Sequence, residues 1–357
     1  MAPVHSSVEA RDVPVVAYAD LVAKKDLSIV IEEAFGYEGM GILVVSGVPE
    51  LSSKRSDLLP LAFKFANLPD DIKAKCELPK AFYSFGWSHG KENLQGKPDY
   101  AKGSYYNNPE TNDQTEGDQQ LIAKFPSFYH PNIWPEELPE LENAFMKLGQ
   151  LIVDTGVLVA HQCDKLVEKK CPGYEKGKLH RIISTGKCSK ARLLHYYSLS
   201  EEQIAAQKEA TTLEDSFAWC GWHNDHGALT GLVQAMFTDS NGMTNRRGEI
   251  LKANIPPGHL VYQIGETSQI LSGGTLQATP HAVRGPQVTG VNRETLAVFM
   301  QPLPQERMAV PNGDGSKDPS EAGKTENLPK GVPPLLSRWN NDMSYDDFTQ
   351  ATFKAYY

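Results

Sequence analysis

Two histidines and one aspartate have the spacing expected of ligands to a single metal ion. His223 and Asp225 are separated by one residue, and His281 follows much further along the chain. Side chains two apart on a strand point to the same side, so His223 and Asp225 can hold one ion together. Two imidazoles and one carboxylate leave positions on the ion open, which is typical of oxygen-activating iron(II) centres. The pattern therefore predicts a catalytic iron site.

A zinc site and a chance pattern are the alternatives for these residues. Zinc also accepts two histidines and a carboxylate. An H-x-D pair occurs often by chance, and a single histidine is more often structural or exposed than a ligand. The neighbouring His226 faces away from Asp225 if the segment is extended, which indicates either a role in supporting the metal ligands or a structural role. The choice between iron and zinc depends on the residues that follow His281.

An arginine and a hydroxyl lie at the start of an apolar strand after the second histidine. Arg293 and Thr295 are two residues apart and so share one side of that strand. A guanidinium can bind a carboxylate through two parallel hydrogen bonds, and a hydroxyl can donate to the same group. We therefore predict a site for a carboxylate-bearing co-substrate, which a zinc hydrolase would not need. The alternative is a structural salt bridge from Arg293 to an acidic residue.

Two further segments carry groups that could contact small molecules. Residues 192–197 are predicted to form a strand near the site, where the hydroxyl of Tyr196 or Tyr197 could contact a dicarboxylic co-substrate. Residues 83–109 combine cationic and aromatic groups, Tyr105 among them, and favour a polar or acidic small-molecule substrate. The alternative for both segments is that these side chains only pack or are exposed.

Composition argues against several classes of protein. The chain of 357 residues has a formal net charge of −9 and no basic stripe, so nucleic-acid binding is not expected. Five cysteines without a C-x-x-C pair favour a reducing compartment over a disulfide framework. The first residues lack the pattern of a signal peptide, and no apolar run reaches membrane-spanning length. We expect a cytoplasmic protein without nucleic-acid or membrane partners.

The first half of the chain mixes predicted helices and strands. Apolar residues recur at helical spacing most clearly over 134–169. Residues 78–133 show little periodicity, and because a plain connector of that length is unusual, part of this segment is expected to be packed or functional. The elements predicted before it are a strand over Val13–Tyr18, a helix over Ser28–Phe35, a strand over Ile42–Val45 and a helix over Leu51–Ala66.

From about residue 181 the chain changes to short apolar runs separated by turn residues, which indicates strands. Seven or so such strands favour a jelly-roll barrel or sandwich. The expected fold is mainly β with helices: an N-terminal strand and helix region over 1–180, a jelly-roll core over 181–303, and a flexible loop and C-terminal helix over 304–357, in one compact unit. The predicted elements are strands over Arg181–Thr185, Ala191–Tyr197, Leu229–Phe237, Glu249–Ile255, His259–Ile264, Leu276–Thr279 and Thr295–Gln301, a loop over 310–333 and a helix over Tyr345–Tyr356.

Taken in order, these motifs resemble those of the iron(II)- and 2-oxoglutarate-dependent oxygenases of the isopenicillin N synthase-like family. The resemblance covers about residues 12–303. It depends most on Trp222–Thr230, which is close to the family's H-T-D-H-G-x-L-T signature, and on Arg293–Thr295, which is close to its R-x-S. Supporting matches lie at Val13–Val16, Gly41–Val48, Phe65–Asp70, Arg192–Tyr197, Ile264–Glu266 and Thr279–His281.

The resemblance implies a double-stranded β-helix core with iron(II) bound by His223, Asp225 and His281. It implies that 2-oxoglutarate and dioxygen are converted to succinate and carbon dioxide while a small organic substrate is hydroxylated, desaturated or cyclised; ascorbate could assist. A monomer is expected. Two alternatives are an iron oxidase on the same fold that uses no 2-oxoglutarate, and a non-catalytic protein that binds a small molecule.

The resemblance also assigns roles to side chains around the metal. It implies that Arg293 and Thr295 bind the distal carboxylate of 2-oxoglutarate, and that Tyr196 contacts the co-substrate near its proximal end. It implies substrate contacts from Phe299, Gln301 and Arg192; Tyr105 is a further candidate from the composition of residues 83–109.

Three departures from the family pattern bear on substrate and co-substrate. Thr295 stands in place of the usual serine and keeps the hydroxyl, whereas Leu194 stands where many relatives have an asparagine near the co-substrate. Residues 83–109 differ from the versions found in flavonoid and hormone oxidases and resemble a branch found in plants and algae. The sequence therefore predicts the chemistry but not the substrate.

Overall fold

Strands and helices alternate along the first half of the chain, and strands dominate the second. The structure is a computed structural model that describes residues 12–91, 93–94, 97–210, 219–236, 241–244, 250–253, 258–286, 288–312, 318–324 and 328–356. The strands are β1 (Val15–Ala17), β2 (Ile42–Ser46), β3 (Gly86–His89), β4 (Asn93–Leu94), β5 (Lys97–Pro98), β6 (Lys102–Asn107), β7 (Lys190–Tyr196), β8 (Cys220–His223), β9 (Leu229–Val233), β10 (Asn241–Thr244), β11 (Ile250–Ala253), β12 (Leu260–Ile264), β13 (His281–Val283) and β14 (Arg293–Met300). The helices are α1 (Tyr18–Val22), α2 (Ser28–Phe35), α3 (Leu51–Ala66), α4 (Asp70–Lys75), α5 (Gln119–Lys124), α6 (Glu140–Lys170), α7 (Lys178–Gly186), α8 (Glu201–Glu209), α9 (Glu266–Leu271), α10 (Pro319–Ala322) and α11 (Tyr345–Tyr356).

Two sheets form the core of the molecule. The larger has eight strands in the order β1-β2-β12-β9-β14-β7-β6-β3, and the smaller has four in the order β11-β10-β13-β8. Their facing sides pack together, because Val283 of β13 lies in one apolar cluster with Leu194 of β7 and Ala297 of β14. The predicted jelly-roll core with helices is confirmed, and its interior lies between the two sheets.

The outer side of the larger sheet is covered by helices α3 and α6. Helix α6 begins with acidic residues and ends with Lys169 and Lys170, charges that suit the helix dipole. A side chain on Gly231 of β9 would lie only 2.3 Å from the side chain of Ile152, so glycine allows α6 to approach the sheet closely. The buried residues of α6 recur at helical spacing: Leu141, Phe145, Leu148, Ile152 and Val159.

The N-terminal region supplies strands to the same sheet as the core. Strand β2 lies between β1 and β12, and β6 lies between β3 and β7. Residues 1–180 and 181–303 therefore share one sheet instead of packing as separate layers. The strands β3 and β6 were not predicted, because residues 78–133 lack the regular alternation that identifies a strand.

The segment Arg181–Thr185 is helical, so its prediction as a strand is wrong. It lies within α7, where the N–H groups of Leu179 and His180 donate to the buried carboxylate of Asp164. The β-branched isoleucines suggested a strand, but the apolar positions have helical spacing. These buried positions are Leu179, Ile182, Ile183 and Gly186.

The segment Leu276–Thr279 is buried but forms no strand, and the strand of this region begins at His281. Its backbone N–H groups are satisfied elsewhere, which is why a buried apolar run can remain irregular. Leu276 donates to Ser272 Oγ, Gln277 to the carbonyl of Phe35, and Ala278 to Gln269 Oε1.

The predicted loop over 310–333 contains the short helix α10, whose Ala322 is buried. Residues 313–317 and 325–327 of this loop lie outside the described residues, as do Phe237, Glu249 and 254–255 at the ends of two predicted strands. The helices over Ser28–Phe35, Leu51–Ala66 and Tyr345–Tyr356 have the predicted bounds.

No helix in the described part of the chain is long and apolar enough to cross a membrane. All five cysteines are among the described residues, and no disulfide joins any two of them.

Candidate active site

The two histidines and the aspartate predicted as metal ligands come together at the edge of the smaller sheet. His223 ends β8 and His281 begins β13, and the two residues are direct partners in the antiparallel pairing of these strands. Asp225 follows β8, and its Oδ1 lies 3.9 Å from the Nε2 atom of each histidine. One ligand atom from each of the three side chains lies within 4.8 Å of the others. These atoms could hold one ion.

Each histidine is oriented by a backbone carbonyl two residues before it. Nδ1 of His223 donates to the carbonyl oxygen of Gly221 at 2.9 Å, and Nδ1 of His281 donates to that of Thr279 at 3.2 Å. A proton on Nδ1 leaves the lone pair of Nε2 free to bind a metal. The backbone therefore fixes both the tautomer and the ring orientation that a metal needs.

The charges around the triad are those of a site built for a cation. Asp225 is buried, and its Oδ2 has no hydrogen-bond partner among the described residues. Burial lowers the pKa of His281 to about 4. Burial also opposes protonation of His223, but Cys220 and Asp225 raise the pKa of that imidazole to about 9. A buried carboxylate whose Oδ2 has no hydrogen-bond partner among the described residues, beside two oriented imidazoles, fits a divalent metal.

Arg293 is a buried cation without an acidic partner. It begins β14, only 6% of it is exposed, and no ion pair to it occurs among the described residues. Its Nε and Nη1 have no hydrogen-bond partner in the same part of the chain. The alternative of a structural salt bridge is therefore not supported. Because an unpaired buried guanidinium is costly, the geometry fits a carboxylate ligand at this position.

Thr295 shares the inward side of β14 with Arg293, as predicted. Its hydroxyl donates to the backbone carbonyl of Val233 at 3.1 Å. In this structure the hydroxyl proton is thus used in a hydrogen bond within the protein and is not available to a ligand. Its oxygen can still accept a hydrogen bond. The predicted contact of Thr295 with the distal carboxylate of 2-oxoglutarate stays a prediction.

Tyr196 lies beside Arg293 on the neighbouring strand of the larger sheet. The two residues are direct partners between β7 and β14, and the guanidinium lies 4.9 Å from the centre of the tyrosine ring. On its other side Tyr196 packs against Trp219 at 5.3 Å between ring centres. The predicted contact of Tyr196 near the proximal end of 2-oxoglutarate stays a prediction.

Two of the predicted substrate contacts lie inside the barrel. Phe299 is partly buried and packs against the interior cluster that includes Leu194 and Ala297. Arg192 of β7 donates from Nε and Nη2 to Ser104 Oγ at 3.0 and 2.7 Å, and its guanidinium lies 5.0 Å from the ring centre of Tyr106. Both residues could therefore contact a substrate between the sheets.

The other two predicted contacts have structural roles. Tyr105 lies on the helix-covered side of the sheet, fully buried against Phe65 and Phe145, and its hydroxyl donates to the carbonyl of Ile133. Neighbouring residues of a strand face opposite sides, so Ser104 and Tyr106 face the interior whereas Tyr105 cannot. The predicted substrate contact of Tyr105 is wrong.

Gln301 is also engaged by the protein itself. Its Nε2 donates to the carbonyl of Cys188 at 2.9 Å, and its Oε1 accepts a hydrogen bond from the hydroxyl of Tyr345 at 3.0 Å. Both ends of the amide are used, so Gln301 joins β14 to helix α11 and does not present a group to a substrate.

Two family models match the sequence. Residues 13–137 match the non-haem dioxygenase in morphine synthesis N-terminal model, and residues 190–302 match the 2OG-Fe(II) oxygenase superfamily. The triad and Arg293 both lie within the second match. No curated protein matches the sequence significantly.

Solved structures with the same fold cover nearly the whole chain. A protein assigned to the 2OG-Fe(II) oxygenase family from Caulobacter crescentus has a TM-score of 0.69 at 21% identity, covering 96% of this chain and 98% of that chain. A full-length protein from Neurospora crassa, solved in complex with alpha-KG and thymine, has a TM-score of 0.67 at 18% identity, covering 97% of each chain. The dioxygenase for auxin oxidation in rice has a TM-score of 0.58 at 16% identity, covering 96% of this chain and 95% of that chain.

The two family models, with the triad and Arg293 inside the second match, define this protein as a non-haem iron oxygenase. The chain belongs to the 2OG-Fe(II) oxygenase superfamily and is a 2-oxoglutarate-dependent dioxygenase, with iron(II) and 2-oxoglutarate as its cofactors.

Proposed function

We propose that His223, Asp225 and His281 bind the iron, and that Arg293 binds the distal carboxylate of 2-oxoglutarate. The observation that carries this assignment is the buried guanidinium of Arg293, which forms no ion pair with any described residue and faces the interior between the sheets. Bound iron(II) supplies the chemistry that couples decarboxylation of 2-oxoglutarate to oxidation of a second molecule. The protein orients the ligands and excludes water from the space between the sheets.

The substrate is proposed to be a small organic molecule with an apolar part and a polar or acidic part. Phe299, Leu194 and Ala297 offer an apolar wall inside the barrel, and Arg192 lies on the same side of β7. Such a wall suits an aromatic or aliphatic body, and the guanidinium suits an oxygen-bearing group. Hydroxylation, desaturation and ring closure are all within this chemistry.

Three further features are proposed on sequence grounds. The segment 83–109 suggests a plant or algal branch of the isopenicillin N synthase-like family. The cysteine pattern favours the cytoplasm. A monomer is expected, and light scattering after gel filtration measures its mass directly.

An anaerobic titration tests the assignment of iron and co-substrate. Iron(II) is added to the metal-free protein, then 2-oxoglutarate, and the visible charge-transfer band is recorded. We expect the band in the wild type, and an affinity for 2-oxoglutarate about 10- to 100-fold weaker in Arg293→Met, because a charged hydrogen bond is lost. Arg307→Met, at an exposed arginine, is the matched control.

Each result of the titration has a definite reading. Iron binding without the band would replace the proposal by an oxidase that does not use 2-oxoglutarate.

Removal of a ligand in His223→Ala or Asp225→Ala should abolish turnover while the circular dichroism spectrum is retained. Full activity in either variant would contradict the metal assignment.

Substrate candidates are screened by the succinate they release above the background. Pairs of acids and their methyl esters test the polar contact, because only the acid can pair with Arg192. We expect Arg192→Met to raise the KM for the acid about tenfold and to leave the KM for the ester unchanged. Equal effects on both members of a pair would remove Arg192 from the substrate site.

A further inference from the structure

The residues on either side of Asp225 are held by the C-terminal helix α11. The backbone N–H of Asn224 donates to the hydroxyl of Tyr356 at 3.2 Å. The ring of His226 stacks on that of Tyr345 with 5.9 Å between centres, and it also contacts the ring of Phe348 edge-on. Asp225 therefore lies between two residues that are fixed by a single helix.

Glu266, at the start of helix α9, contacts the same loop from another direction. Its Oε1 accepts a hydrogen bond from the side-chain amide of Asn224 at 3.0 Å, and its backbone N–H donates to the carbonyl of Asp225 at 2.8 Å. Only 1% of Glu266 is exposed. Glu266 thus fixes the side chain of Asn224 through its buried carboxylate and the backbone of Asp225 through its own backbone N–H.

Arg338 connects this carboxylate to the C-terminal segment. Its guanidinium forms a buried ion pair with Glu266, and its Nη1 donates to Thr352 Oγ1 at 2.9 Å. The same guanidinium lies 5.4 Å from the ring centre of Phe348 and 5.9 Å from that of Tyr356. Because each partner of a buried pair neutralises the other, removing one leaves an uncompensated charge next to the loop.

We propose that Arg338, Glu266 and Tyr356 are positioning residues of the iron site. They hold Asn224 and the backbone of Asp225 so that the carboxylate meets the two imidazoles before the metal arrives. An arrangement formed in advance lowers the cost of binding, and loss of an outer partner of a metal ligand typically weakens metal affinity about 10- to 100-fold. The inference rests on the proposed function in one respect, the assignment of iron to the triad.

The first test is the affinity for iron(II) alone, measured anaerobically by competition with a chromogenic chelator in the absence of 2-oxoglutarate. Tyr356→Phe removes one hydroxyl and keeps the ring, so the helix can still pack. Arg338→Met removes the guanidinium. We expect the Kd for iron(II) to rise about tenfold in Tyr356→Phe and more in Arg338→Met. The control is Arg307→Met, which removes an exposed arginine whose ion-pair partner is Asp342.

A second pair of variants separates positioning from folding. The double variant Arg338→Met with Glu266→Gln removes both buried charges, which is often neutral for stability. We expect its melting temperature to be near that of the wild type, while its affinity for iron(II) remains weak. Arg338→Lys keeps the charge and should recover part of the affinity.

The outcomes distinguish this inference from the proposed function. If the wild type binds iron(II) and all of these variants bind it equally well, the C-terminal segment is only a structural anchor and the inference is overturned. If the wild type binds no iron(II), the proposed function itself fails, and the inference fails with it.

Discussion

Lys190 is a buried amine on the inward side of β7. Its Nζ donates to the carbonyl of Ser127 at 3.2 Å and lies 3.3 Å from the ring centre of Phe85. Burial lowers the pKa of Lys190 from its ordinary value to about 7. In the unfolded chain the amine stays protonated to a much higher pH, so the unfolded state binds more protons between these values. The contribution of Lys190 to stability therefore increases as the pH rises above 7.

Replacing this amine should flatten the pH dependence of stability. Wild type and Lys190→Met are compared by urea unfolding between about pH 6 and 9.5. This range includes the pKa of Lys190 in the folded state and extends toward its higher pKa in the unfolded chain. We expect the free energy of unfolding of Lys190→Met to exceed that of the wild type most at the lowest pH. The difference should decrease by at most about 1.4 kcal/mol per pH unit above neutrality. Lys208→Met, at an exposed lysine of α8, should run parallel to the wild type. Parallel curves for Lys190→Met would show that the amine stays charged in the folded state.

The glycine that precedes strand β2 packs against the residue that orients His281. Gly41 has a φ of 74°, and a side chain there would lie 2.1 Å from Thr279 Oγ1. The carbonyl of Thr279 orients His281. An element far from the ligands in sequence therefore fixes the position of one of them.

Alanine at this glycine should weaken both folding and metal binding. Gly41→Ala is expected to lose about 3 kcal/mol of unfolding free energy and to bind iron(II) more weakly, because Thr279 must move. Gly47→Ala is the matched control, since Gly47 has a φ of 69° but no atoms within 4 Å of the added carbon. The control should show only the backbone strain, about 1–2 kcal/mol, with unchanged iron affinity. Equal iron affinities in both variants would contradict the link to His281.

The sequence predicted those helices whose apolar spacing and end signals are visible in the local sequence. Helices α2, α3 and α11 have the predicted bounds because apolar spacing and chain breakers lie within them or beside them. The triad was predictable because His223 and Asp225 are two residues apart and His281 lies in the short motif Thr279–His281. Arg338 was not, because an ion pair with Glu266 depends on the tertiary fold and leaves no local pattern. Glu266 had a partial signal, since it occupies the last position of the I-G-D-like motif.

Strands from both halves of the chain share the larger sheet, so we expect the molecule to fold as a single unit. Strands β1, β2, β3 and β6 from the first half complete the sheet that carries Arg293 and Phe299. Without them, β12 and β7 would become exposed edges, and the side covered by α3 and α6 would be open to water. The helices and strands before residue 181 are thus part of the barrel.

A chain reduced to residues 181–357 should therefore not fold. We expect it to aggregate or to lack cooperative unfolding, and to bind no iron(II), whereas residues 12–357 keep every contact described above. Circular dichroism during heating and gel filtration measure both properties. A soluble fragment with a sharp melting transition would show that the core is independent of the N-terminal region.

The contacts of α11 with the loop around Asp225 also bear on the order in which the iron site is completed during synthesis of the chain. Both histidines and the aspartate are synthesised well before Tyr345–Tyr356, the helix that anchors their loop. A growing chain thus exposes its three ligands to cellular iron while their geometry is still unsupported. On the positioning proposed above, we expect full affinity for iron(II) only after this helix has docked.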